Sequence, residues 1–230
     1  MPRFTVDLRF VEIESELWAL AEFLRVIESQ VQYLIAQDEV RMRAELREQG
    51  LPWEDPDVQL AFQEHDARAK RVFPRFMRAP FLVALCATYE AAIEELANAQ
   101  AKATECSLLL KDIKARSWFM AARKYFEAVL LIPMDKNAQR LSAIGELFEV
   151  RHAFAHGNGE IRSVPDSKLQ RLQEIIRQHP GDISIDDGLV TLESAFLEKA
   201  FGNVNGSIRE LVNTIRGGPA VRLLRSVRGA

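Results

Sequence analysis

Near the start of the chain, apolar residues recur in alternating steps of four and three: Ile13, Leu17, Leu20, Leu24, Ile27, Val31 and Leu34. That spacing puts them on one seam of a helix packed along a near-parallel neighbour. The pattern predicts a first helix from about Val11 to Gln49, stopped at Gly50. Leu51-Pro52-Trp53-Glu54-Asp55-Pro56 then reads as a loop. Asp55-Pro56 opens a second helix running to about Val72, because proline fits the first helical turn.

Pro74 and Pro80 are expected to interrupt before a third helix carrying Leu82, Leu85, Tyr89, Ile93 and Leu96. A fourth, roughly Trp118 to Leu131, presents Phe119, Ala122, Phe126 and Leu130 and stops ahead of Pro133. The next spans about Asn137 to His156, with Leu141, Ile144 and Phe148 on one face. A shorter helix from about Asp166 carries Leu169, Leu172 and Ile176. Ile183 and Ile185, then Asp186-Asp187-Gly188, then Val190 and Leu192 alternate across a turn that favours positive φ, the signature of a small β-hairpin. Leu197, Phe201, Val204, Ile208, Leu211 and Ile215 form a last helix ending at Gly217-Gly218-Pro219. The expected fold is an all-α bundle of six or seven helices with one β-hairpin insertion. Its expected organisation is an N-terminal helical pair over residues 1–75, a helical domain over 76–218 and a basic tail over 219–230.

A 230-residue chain that is 48% hydrophobic has ample material for a sizeable core. Its net charge of −3 gives no global attraction to nucleic acid, so RNA binding would need a local patch. Arg68, Lys70, Arg71, Arg75 and Arg78 form one such cluster, and Arg222, Arg225 and Arg228 a second in the tail. Both also fit an ordinary solvated surface. Cys86 and Cys106 lack metal-ligand spacing and read as free thiols in a reducing compartment. The apolar stretch Ala79 to Tyr89 is too short to span a bilayer, so a cytoplasmic protein without a membrane partner is expected.

Candidate chemistry is concentrated in Arg151-His152-Ala153-Phe154-Ala155-His156, followed at once by Gly157-Asn158-Gly159. Arg151 continues the apolar face of its helix and therefore asks for an anionic partner, either a carboxylate such as Glu90, Glu146 or Glu149, or a ligand. His152 and His156 are four apart and stack on one side of the helix. A guanidinium fork and imidazoles are well suited to holding and protonating phosphoryl oxygens. A histidine in the last turn followed by glycine is also an ordinary helix stop. Zinc would suit the histidine spacing, but position 153 is alanine where a metalloprotease helix has its glutamate, and His65 and His179 read as surface residues without a motif. No metal or other cofactor is expected.

An arginine, a polar residue, three further residues and a histidine closing a helix resemble the signature of the HEPN superfamily of all-helical proteins, many of them RNases. The helix containing Tyr89-Glu90, the intervening helix and the following His-Gly-Asn-Gly extend the resemblance over about residues 80 to 215. It implies a metal-independent endoribonuclease acting through Arg151 and His156, with His152 at the polar position, often asparagine or aspartate in the family. The resemblance leaves open which imidazole is the base. It also implies RNA as substrate, a homodimer with two motifs facing one cleft, and an antitoxin or defence partner protein; the cluster from Arg68 to Arg78 is the candidate patch by which such RNA would be bound. Some family members have lost cleavage, so the alternative is a non-catalytic module whose motif helix forms an interface.

Overall fold

The computed structural model describes residues 8–217. Basic residues Arg222, Arg225 and Arg228 lie outside them. The chain is an all-α bundle with one two-stranded antiparallel hairpin. Helix α1 is Leu8–Gln49, and Gly50 ends it in the left-handed region at φ 64°. Its predicted seam is buried from Ile13 to Val31, and Leu34 is half-buried. The seam then continues through Asp38 and Met42, which are also buried.

Asp55 accepts the Asp57 N–H at 2.9 Å and so caps α2, Pro56–Ala67. The expected break at the prolines does not occur. A π-turn at Arg68–Val72 leads directly into α3, Phe73–Ala103, making one continuous rod over Pro56–Ala103. The wider turn bonds the Phe73 N–H to the Arg68 carbonyl, which shifts the ladder just before the residue that has no N–H to give. Pro80 and Phe76, one turn earlier, are both exposed, so the carbonyl that Pro80 leaves unbonded lies on the solvent side of the helix. The resulting rod is long and apolar enough by composition to cross a membrane, but half of its apolar window is buried in the protein. Leu82, Leu85, Tyr89, Ile93 and Leu96 supply its core face.

Ser117 caps α4, Trp118–Lys124, which runs into a second π-turn at Tyr125–Val129. Asn137 accepts two amides and starts α5, Ala138–Gly157. Helix α6 is Asp166–Gln178 and α7 is Ser194–Gly217. Between them β1, Ile183–Asp186, pairs with β2, Leu189–Leu192, in the register Ile183 to Leu192 and Asp186 to Leu189. Asp187 and Gly188 both have positive φ, as the predicted turn requires.

The chain packs as two compact units, and α1, α3, α5 and α7 each contribute residues to both. The first unit takes in Ala84–Phe148 with the described parts of Met1–Ala19 and Lys199–Ala230. In it the Phe148 ring packs against those of Tyr89, Trp118 and Phe119. The Tyr89 hydroxyl meets Ser207 Oγ at 3.2 Å, and burial raises its pKa well above the ordinary phenol value. Arg140 joins the buried Asp135 to Glu210 beside that contact. The second unit consists of Leu20–Val83 and Glu149–Glu198.

Candidate functional site

All of the candidate side chains from Arg151 to His156 belong to the second unit, on the last two turns of α5. Leu147, Val150, Ala153 and Phe154 are buried and fix the helix, which turns the remaining positions outward. His152 and His156 lie together, their ring centroids 4.4 Å apart, with His152 half-buried and His156 exposed. Burial lowers the pKa of His152 below the ordinary imidazole value, and the neighbouring charges of Lys168 and His156 push it further the same way. Its neutral, proton-accepting form is favoured.

Arg151 is turned about 100° around the helix from His152. It is half-buried, and its Nε is buried with no hydrogen-bond partner. It enters none of the ion pairs found among the described residues. A buried donor without an acceptor costs on the order of 1–3 kcal/mol, so this position is held against its own solvation preference.

The helix stop differs from the expected one by a residue. Gly157 is still helical, and Asn158 takes the left-handed cap position at φ 49°, its N–H bonding the Phe154 carbonyl at 3.0 Å. Gly157 is required for another reason: a Cβ there would lie 2.5 Å from that of Ser163. Gly159, at φ 80°, carries the chain to the hairpin. Its N–H bonds the Ala153 carbonyl, and its own carbonyl accepts the Val190 N–H at 2.8 Å. The motif's end is thereby tied to β2. Gly159→Ala should destabilise the protein by about 1–3 kcal/mol, since it combines a strained φ with overpacking. The new Cβ would sit 2.9 Å from the Phe154 ring. A denaturant melt in which Gly159→Ala matches the parent would remove this account of the turn.

Most of the basic cluster is neutralised within the second unit. Arg68 bonds Asp38 at 2.9 Å, Lys70 bonds Asp66, and Arg71 lies near Asp186 and Asp187 of the hairpin. Arg78 is only 6% exposed and grips Glu28 with both Nε and Nη2. Its Nη1 reaches Glu193 and the Leu192 carbonyl. Arg75 differs. It enters no ion pair among the described residues, its Nε is buried and unpartnered, and its guanidinium stacks 5.1 Å from the exposed Phe76 ring.

His65 is not the surface residue expected. Its Nδ1 lies 2.8 Å from the buried Asp38 carboxylate, which also accepts from Arg41 and Arg68. Burial alone would raise the Asp38 pKa, but the bonds from His65 and Arg68 outweigh it and hold the carboxyl below its ordinary value. The available signal was Asp38 lying in phase with the α1 seam. His179 packs edge-on against Phe196. Among the described residues no three metal-ligating side chains cluster.

The chain matches no protein-family model, and no curated protein or solved structure is significantly similar to it.

Proposed function

We propose that this protein is a metal-independent endoribonuclease of the HEPN type, acting as a homodimer on RNA in a toxin–antitoxin or antiviral defence setting. The observation that carries the reading is the combination at the end of α5: an arginine whose Nε is buried without a partner, next to two imidazoles 4.4 Å apart. Arginine held without a carboxylate is available to an anionic ligand. Paired imidazoles disfavour double protonation, which suits one to accept a proton while the other donates.

In this reading neutral His152 takes the proton of the ribose 2′-hydroxyl, and that oxygen attacks the adjacent phosphorus. The bond from phosphorus to the 5′-oxygen breaks, and His156 protonates the departing oxygen. Arg151 balances the charge of the phosphorane. Because the sugar holds nucleophile and phosphate together, the attack is intramolecular and needs only proton transfers. Arg68, Lys70, Arg71, Arg75 and Arg78 are the RNA-binding candidates, and Arg75 with Phe76 fits best. The exposed Phe76 ring, with the half-buried Arg75 guanidinium over it, offers a stacking platform for a base, whereas the other four are engaged with carboxylates.

Cleavage products should carry 2′,3′-cyclic phosphate and 5′-hydroxyl ends, and activity should persist in EDTA. RNA with a 2′-O-methyl group at the scissile position should resist. Mass spectrometry of the fragments checks this: 5′-phosphate ends, or activity lost to EDTA and restored by zinc, would refute the mechanism. The ion pairing of most of the basic cluster favours a second reading, a non-catalytic interaction module of the same family. Purified protein that binds RNA or a partner without cutting any RNA offered would support it.

A further inference from the structure

We infer that one face of α7, with the residues that open α5, forms a binding site for a small phosphorylated ligand. It shares no residue with the arginine–histidine motif, and it stands whether or not the protein cuts RNA. The site is a cavity of about 600 Å³ lined entirely from the first unit, a volume suited to a small molecule. Gly206, Arg209, Glu210 and Asn213 line it from the i, i+3, i+4 and i+7 positions of α7, which share one face of a helix. Lys136 and Arg140 add the rest of its charge.

Arg140 is fixed in place by a buried partner. Its Nε and Nη2 grip Asp135, whose side chain is fully buried, at 2.6 and 2.7 Å, and Nη2 also meets Glu210. Nη1 keeps both of its N–H groups unused by any acceptor among the described residues. It lies against Gly206, where an added Cβ would stand 3.0 Å from it, so the missing side chain is what leaves the α7 wall open here.

The charges favour an anion. Glu210 is already engaged, one oxygen with Arg140 and the other accepting the Lys136 N–H at 3.2 Å. The Lys136 ammonium and the Arg209 guanidinium, both on exposed residues, enter no ion pair among the described residues. Asp135 balances Arg140 and Glu210 balances one further cation, so the lining keeps a positive excess. Donor number then selects the class of anion. Arg140 Nη1, Lys136, Arg209 and the Asn213 amide all offer N–H groups to the cavity's lining, more than the two oxygens of a carboxylate can meet. A phosphoryl group carries three acceptor oxygens on one phosphorus, and guanidinium groups match it with paired N–H bonds.

Inorganic phosphate is the probe. Titration of the full chain at constant ionic strength, followed by amide NMR, should show saturable binding at millimolar phosphate with shifts centred on Lys136, Gly206, Arg209 and Asn213. Acetate at the same concentration should not saturate. Lys136→Ala and Arg209→Ala should each raise the dissociation constant roughly tenfold, the scale of losing one hydrogen bond from a charged group, and Arg209→Glu should abolish binding. Melting should not change, since neither residue is in an ion pair among the described residues. Gly206→Ala should weaken binding by crowding Nη1, in a helix that accepts alanine readily. Arg140→Ala would strand Asp135 and cost stability, so the exposed Lys136 and Arg209 carry the test. Arg151→Ala should leave phosphate binding as it is. Absence of saturation, equal binding of acetate, or binding lost with Arg151→Ala and kept with Arg209→Glu would overturn the proposal. So would an RNA oligonucleotide held through Arg209 while inorganic phosphate neither binds nor competes, which would assign this face to a polynucleotide.

Discussion

Arg151→Ala should lower RNA cleavage by about 10²–10³-fold, the scale of losing one group that stabilises transition-state charge. His156→Ala should cost about 10²–10⁴-fold through lost proton transfer. Both variants should keep the parent's helical circular dichroism and cooperative melt. The physical reason is specific to these positions: Arg151 is in no ion pair among the described residues, so its removal strands no carboxylate, and His156 is exposed. Phe148→Ala makes the contrast, because its ring touches those of Tyr89, Trp118 and Phe119. It should chiefly cost stability, about 3 kcal/mol.

The pH profile supplies an independent arm. A base whose pKa is lowered is active above that value, so kcat/KM should rise with pH through a midpoint below the ordinary 6.5 and hold at neutrality. His152→Asn should remove that acid limb. Arg151→Ala that unfolds the protein, in a chain with no measurable cleavage, would assign the arginine to structure instead.

What the sequence disclosed follows from how local each cause is. The α1 seam, the hairpin turn at Asp187-Gly188 and the helix bearing Arg151 and His156 were legible because each depends on spacing within a few residues. The uninterrupted rod from Pro56 to Ala103 was not, since the tolerance for Pro74 comes from a π-turn that no residue type announces. Nor were the partners of the basic cluster. Arg78 finds Glu28, Leu192 and Glu193, and Arg71 finds Asp187, at sequence separations that only the tertiary fold supplies. The burial of His65 beside Asp38 is of the same kind. Within the candidate site, the closeness of His152 to His156 follows from helical geometry alone, whereas the unpartnered Nε of Arg151 depends on what packs around it.

The largest stability effect should come from Arg78→Ala, with a loss of about 3–5 kcal/mol, the usual result of removing one partner from a buried charge pair. Arg78 is 6% exposed and is the common partner of Glu28 on α1, Glu193 ahead of α7 and the Leu192 carbonyl at the end of β2. Its loss strands a carboxylate and a carbonyl in a place that water reaches poorly. Arg78→Met, which keeps the apolar stem, should recover only the packing part of the deficit, because Glu28 would still lack its fork. Arg75→Ala provides the opposite outcome from the same cluster: stability close to the parent, with RNA affinity reduced and its salt dependence made shallower. Paired melts and binding isotherms separate the two. If Arg78→Ala melts like the parent while losing RNA affinity, the ion-pair assignment fails and Arg78 belongs with Arg75 among the groups that meet RNA.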